Sequence, residues 1–414
     1  MRPGHLSELS RALHASEATG GRPGSLPACL PLERFAEVHF ARFFLLDAVV
    51  LHDGEPVSES LVYMADVDGS ADAHLRALAD RAPAGVDELF GHCEGYPTVP
   101  DRRARVGWLR EHTLAPAAYY VHTVGRTVGQ VKDETRLFQT LQTVLDSGEV
   151  VTSGADPVRL RSDLRAAVLR RSDFSWATRL PAGPGAVRLV GDAVHLYASM
   201  IGLLLVAPFA LVPGLVWLLL LRLHELRDRQ ENGVPDQRHV EEVRRYEDFA
   251  AQNPFTAVGE VKPGIVRGVT MRIALAGLGL ACRHAFARDN LAGVTSIHFA
   301  RWVPIDDGRR LIFASSYDGS LESYMDDFIS RLSWGINLVF SNGSGFPRTR
   351  WLVLGGARDE IRYKHYLRRH QVPTPAFHSA YPESSAPNLD RFSSVRLGFR
   401  DRDDAAAASW LAQL

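Results

Sequence analysis

The chain has 414 residues, more than one hydrophobic core usually organises, so two or more domains are expected. Its 47 Lys and Arg residues nearly balance 48 Asp and Glu, a formal net charge of -1, which leaves no basic footprint for nucleic acid and argues against that partner. Three scattered cysteines, Cys29, Cys93 and Cys282, exclude a disulfide framework and a CxxC metal site and fit free thiols in a reducing compartment.

In chain order, residues 1–30 read as a flexible N-terminus with neither the apolar core nor the cleavage pattern of a secretory signal. Residues 31–125 carry "VHFARFFLLD" and "LVYMADVDGS", two strand patterns ahead of a helical one. Connecting helices are expected over 126–190. One of them is amphipathic over 131–146, with Leu137, Phe138, Leu141, Val144 and Leu145 on one face.

Residues 191–223 form a hydrophobic segment, and the 29 residues from Ala193 to Leu221 include no Asp, Glu, Lys or Arg. That exceeds the ~20 apolar residues a bilayer span requires. Pro208, Pro213 and Gly214 near its middle predict a kink or a corner, so two half-length helices that enter and return are favoured over one tilted span. A single crossing would separate two related domains that could then share no interface, which favours both on the cytoplasmic side. A buried helical hairpin in a soluble protein is the competing reading. Residues 224–290 follow as a charged helix after Gly-Val-Pro and an apolar interfacial helix over 262–288 that carries Arg267, Arg272, Arg283 and Arg288.

Residues 291–385 repeat the first pattern. Asp68 set against Asp318 aligns 30 residues without a gap, eight of them identical: Asp68/Asp318, Gly69/Gly319, Ser70/Ser320, Arg81/Arg331, Gly85/Gly335, Phe90/Phe340, Gly95/Gly345 and Pro97/Pro347. Upstream, His39-Phe40-Ala41-Arg42 matches His298-Phe299-Ala300-Arg301. Downstream, His112 and Tyr119 match His370 and Phe377. In the second copy "IHFARWVPI" and "RLIFASSY" read as a hairpin, Ser320 to Leu332 as a helix, "WLVLGG" as a short buried strand, "ARDEIRYKHYLRRH" as a helix and "TPAFHSAY" as a last strand. The predicted fold class is therefore α+β, two tandem ferredoxin-like sandwiches from an internal duplication, separated by helices and the membrane-type segment. Residues 386–414 are left as a C-terminal tail.

The candidate functional residues are the repeated ones. Imidazole suits acid–base work or ligation, yet a strand histidine among aromatics more often packs or hydrogen-bonds locally. No HxxxH, HExxH or Cys/His spacing supports a metal site. The Asp-Gly-Ser turn is accounted for by helix capping. Placed after a strand in both copies, "SSYDG" and "ADVDG" nevertheless resemble the Gly-x-x-Asp-Gly motif of dye-decolorising peroxidases, tandem ferredoxin-like haem proteins.

That resemblance implies a haem cofactor, with Asp318 as the catalytic acid–base residue and Gly319 beside the cofactor; Arg301 and His298, which the motif does not match, are further catalytic candidates, and His370 is a candidate on the cofactor side. His370 and His298 are both open as the axial ligand. Asp68 and Gly69 would be the vestigial pair, and Ser315 and Ala65 stand where the motif has Gly. The wider pattern also resembles a bacterial membrane-associated family from which no residue role is carried over. Two functions follow as expectations: a peroxide-handling oxidoreductase at a membrane, acting on a small apolar or lipid substrate, or a non-enzymatic membrane-associated binding or scaffold protein.

Overall fold

The computed structural model describes every residue except 3, 15–21, 153, 182, 184, 287–289 and 402, and the side chain of residue 172; Arg288 therefore lies outside the described residues. The protein is mixed α and β. Seven strands build its two main sheets: β1 (Val38–Leu46), β2 (Ser60–Val67), β3 (Ala118–Val121), β4 (Gln252–Glu260), β5 (Ile297–Ile305), β6 (Arg310–Asp318) and β7 (Ala376–Ser379). The helices are α1 (Leu6–Leu13), α2 (Ala71–Arg81), α3 (Pro83–Phe90), α4 (Arg102–Glu111), α5 (Val128–Asp146), α6 (Pro157–Leu169), α7 (Ala186–Arg227), α8 (Gln237–Arg244), α9 (Ile265–His284), α10 (Leu321–Phe340), α11 (Glu360–His370), α12 (Ala386–Arg400) and α13 (Ala407–Leu411).

Neither half closes its own sheet. The first sheet has the order β7-β1-β2 and the second β3-β5-β6-β4, all antiparallel. The last strand of each half thus pairs with the first strand of the other. The registers match: Phe377 lies opposite Arg42, and Tyr119 opposite Arg301. Because side chains alternate along a strand, each sheet has one face for helices and one for the other sheet. Val38, Ala41 and Phe43 pack against α2, α3 and α4, while Ala300, Trp302, Leu311, Phe313 and Tyr317 pack against α9, α10 and α11. Phe44, Leu46 and Met64 meet Val303, Ile312 and Ala314 between the sheets. A further cluster from α5, α6, α12 and α13 closes over Phe40 and Phe299.

Several expectations are corrected here. "WLVLGG" is not a strand of either main sheet: Trp351 and Leu352 have φ of 58° and 62°, which breaks an extended run and leaves only a two-residue pairing of 349–350 with 354–355. Their amides both donate to Glu225 at the end of α7, at 2.8 and 2.7 Å, which holds that turn. The fourth strand of the second sheet is instead β4, from a stretch with no separate expectation. The supposed tail folds as α12 and α13, with Leu389, Phe392, Val395, Phe399 and Trp410 buried. In the N-terminal thirty residues, α1 is anchored by Leu9 and Leu13, both fully buried.

The hydrophobic segment also differs from expectation. α7 runs without interruption through Pro208 and Pro213, so the pair of half-length helices is not formed. Nor is α7 the buried hairpin of a soluble core, since Leu221 and Glu225 are its only buried residues. It lies antiparallel beside α9: Trp217 Nε1 donates to Thr270 Oγ1 at 3.0 Å, His195 Nδ1 meets His284 Nε2 at 2.9 Å, and Arg283 pairs with Asp192 at 2.7 Å. The opposite side of α9 packs onto the second sheet through Met271, Ala274, Leu275 and Cys282. Arg267, expected at a membrane interface, is buried and pairs with Asp228 at 2.5 Å, as does Lys262 at 2.7 Å.

Candidate functional site between the two sheets

The repeated His-Phe-Ala-Arg stretches lie in β1 and β5, and each strand carries a bulge at its histidine. A bulge adds one residue to the strand and re-aims it. The next Phe and Arg then point between the sheets, and Ala points to the helices. Phe40 and Phe299 meet edge to face with centroids 5.5 Å apart. Each histidine ring packs on the other half's phenylalanine, His39 on Phe299 at 5.3 Å and His298 on Phe40 at 5.2 Å.

The arginines cross between halves in the same way. Arg42 donates to the Ser315 carbonyl at 2.9 Å and Ser316 Oγ at 2.7 Å, and also to the Phe255 carbonyl at 2.8 Å and Thr256 Oγ1 at 3.2 Å. Arg301 donates to the Ala65 carbonyl at 3.0 Å and to Asp66 Oδ1. Ala65 and Asp66 are the positions that match Ser315 and Ser316. Each guanidinium lies over the aromatic ring opposite it, Phe377 at 5.6 Å and Tyr119 at 5.0 Å. Burial pushes the Arg42 guanidinium down to about 10, with Asp66 opposing that shift. For Arg301 burial acts in the same downward sense, but the Asp66 carboxylate and Tyr119 outweigh it and hold the group above its ordinary value.

Both Asp-Gly-Ser turns do several structural jobs. Gly69 and Gly319 sit at φ +81° and +80°, where a side chain is strained. Ser70 and Ser320 cap α2 and α10. Asp68 accepts from His39 Nε2 at 3.1 Å through one oxygen and from the Val128 amide, at the start of α5, at 2.9 Å through the other. Asp318 does the same with His298 Nε2 at 2.8 Å and the Ala386 amide of α12 at 2.7 Å. Each carboxylate thus joins a strand bulge to a helix start, where negative charge is favoured.

The two sites differ at the far nitrogen of the histidine. Tyr381 Oη bonds His39 Nδ1 at 2.8 Å, whereas His298 Nδ1 is buried without a partner among the described residues, as is Thr123 Oγ1. Hydroxyl, imidazole and carboxylate in line would suit nucleophilic catalysis in an open cleft. Here the hydroxyl is fully enclosed, and burial raises the Tyr381 phenol well above its usual value, keeping it protonated. Nearby, His122 and Arg126 hold Asp390 at 2.9 and 2.6 Å. Burial raises the Asp390 carboxyl, but these two bonds outweigh it and leave the group below its ordinary range. Nothing repeated in the sequence marks that trio.

Of the expected site residues, His298 and Asp318 come together, and Gly319 forms the turn after them. Arg301 lies on the same inner side but is committed to Asp66. His370 is elsewhere, at the end of α11 beside Gly259, which lies opposite Leu311 in the second sheet. Seven residues of strand, ~24 Å, separate Leu311 from Asp318. His370 bonds the Tyr366 carbonyl at 2.9 Å and packs on that ring, and His112 treats the Trp108 carbonyl and ring likewise at 2.8 Å. Both histidines close the last turn of a helix. The cavity that His370 lines has a volume of about 20 Å³, whereas cofactor-sized pockets take ~300 Å³ or more. His298 is fully buried, with Nε2 held by Asp318. The residues as placed do not fit a haem.

No family model matches the chain, and neither a curated protein nor a solved structure does.

Proposed function

We propose that the protein is a monotopic membrane-associated protein, docked by α7 alongside α9, with a duplicated ferredoxin-like pair of domains that exchange their last strands and serve a binding or scaffold role on the cytoplasmic side. One observation carries the membrane assignment. Twenty-one large apolar side chains of α7, from Val187 to Leu226, are exposed, and the charge-free stretch of 193–221 lies among them. Covering what remains exposed contributes on the order of 1 kcal/mol per side chain, or about 20 kcal/mol in all. That exceeds the ~5–15 kcal/mol of a typical fold, so water is a poor solvent for this ridge.

In-plane docking is favoured over a crossing because α9 connects α7 to the second sheet at both ends of the apolar stretch. A bilayer crossed by 193–221 would have to contain the charged flank of the domain as well. The non-enzymatic role is favoured by the inter-sheet site, where His39, His298 and Arg42 are buried and every repeated histidine and arginine is already bonded to a group of the fold. The three free thiols suit a cytoplasmic location.

Fractionation tests the assignment. The wild type is expected in the membrane pellet through high-salt washing and to be released by detergent. A triple variant, Leu204→Glu, Leu211→Glu and Leu218→Glu, is expected in the soluble fraction. Single cysteines introduced at Val151 and Asp307, both exposed, should react with an impermeant maleimide from the same side. Soluble, detergent-independent wild-type monomer overturns membrane docking, and labelling from opposite sides overturns the monotopic arrangement.

A further inference from the structure

We propose that His5, Glu8 and His92 form a binding site for one divalent transition-metal ion of the zinc class, which clamps the N-terminal helix α1 to the end of α3. His5 Nδ1 and His92 Nδ1 lie 3.0 Å apart, and Glu8 Oε2 lies 3.3 Å from the first and 3.8 Å from the second. Ligand atoms at ~2.0–2.1 Å from a tetrahedral ion are ~3.3 Å from one another. Two of the three separations are therefore within ~0.3 Å of the edge of such a tetrahedron, and the third, between Glu8 and His92, exceeds it by about 0.5 Å, a shift that an exposed Glu8 side chain can take up.

The donor chemistry points the same way. Two imidazole nitrogens and one carboxylate suit zinc, cobalt or nickel far better than calcium or magnesium, which favour all-oxygen shells. Two facing imidazole lone pairs repel unless a cation or a single proton lies between them. Side chains at His5 and Glu8 are 37% and 52% exposed, so an ion has an entry path and a fourth position open to water.

Both sides of the site are held in place before any ion binds. Leu9 and Leu13 bury α1, the Arg2 amide donates to the His92 carbonyl at 3.0 Å, and the His5 amide donates to the Arg2 carbonyl at 3.2 Å. His5 and Glu8 share a face one helical turn apart, while His92 is distant in sequence and follows α3. No spacing motif could have marked the set.

The site is independent of membrane docking and is tested separately. The untagged 414-residue chain in detergent, stripped with chelator, is titrated with Zn²⁺ by calorimetry and with Co²⁺ by visible absorption. One equivalent is expected, with the intense d–d bands of a tetrahedral Co²⁺ site and a Tm that rises with zinc. His92→Asn and Glu8→Gln are each expected to weaken binding by at least ~10-fold. His52→Asn, at an exposed histidine on another surface, should change nothing. The second copy has Asn342 where the first has His92, so asparagine suits that backbone, and Glu8 is exposed enough for its variant to fold. Absence of stoichiometric binding by the wild type, or equal affinity in the His92→Asn and Glu8→Gln variants, overturns the site and leaves a proton shared between two imidazoles.

Discussion

Arg301 and Arg42 occupy matching positions, yet their loss should have different consequences, because only Arg301 bonds a carboxylate directly, while Arg42 holds carbonyls and hydroxyls. Arg301→Met leaves Asp66 buried, with Tyr119 Oη at 2.9 Å as its remaining side-chain donor. Removing one partner of a buried ion pair costs about 3–5 kcal/mol, chiefly through the charge left behind. Asp66→Ser turns the site into a copy of the other one, where Arg42 bonds Ser316 and the Ser315 carbonyl, so it should cost only about 1–2 kcal/mol, the scale of one hydrogen bond.

The double variant removes the stranded charge and should lose about 2–3 kcal/mol, which implies a coupling of roughly 3 kcal/mol between the two residues. Urea unfolding of the detergent-solubilised protein measures all four corners, followed by tryptophan emission with buried Trp302 as an adjacent reporter. Additive effects, with coupling below about 0.5 kcal/mol, would refute the assignment of the Arg301 loss to an Asp66 left without its bonded cation.

Gly319→Ala should cost about 1–2 kcal/mol from backbone strain alone, since nothing lies within 4 Å of the added carbon, and Gly69→Ala should match it in thermal unfolding. Glu225→Ala strands the Trp351 and Leu352 amides and should lower stability by about 3 kcal/mol, with faster hydrogen exchange across 349–355 as the local readout. Burial acts to raise the Glu225 carboxyl, but the amide, Arg222 and Thr349 bonds outweigh it and hold the group below its ordinary value. Its contribution is therefore present above the unfolded carboxyl pKa and is lost as pH falls through the folded one, so Glu225→Gln should flatten acid denaturation there.

His378 shifts in the same direction for a different reason, because here folding favours the neutral form. Burial, aided by the Lys132 charge, pushes it down to about 4. The unfolded chain then binds more protons between ~6.5 and about 4, so stability falls as pH drops through that window, by at most about 3 kcal/mol. His378→Gln should remove that slope from the urea midpoint measured against pH.

The sequence by itself determined what is local or periodic. The hairpins of β1 with β2 and β5 with β6, the capped turns at Asp68 and Asp318, α5, and the charge-free run in α7 all follow from spacing between near neighbours. The internal repeat also tied His39 to His298 and Arg42 to Arg301 in advance, because matching residues imply matching contacts. What those contacts are was settled only by tertiary structure. Strand exchange depends on which half's edge β3 and β7 meet, and nothing within either strand encodes the identity of a partner so distant in the chain. The "WLVLGG" stretch has strand-like composition, but Glu225, more than a hundred residues earlier, captures its amides and bends it out of the sheets. Helical periodicity shows that α7 is apolar and gives no account of its neighbours; only α9, packed between it and the second sheet, sets how that ridge is presented. The His5, Glu8 and His92 donors meet because buried leucines fix α1 against α3, a packing event that leaves no motif behind.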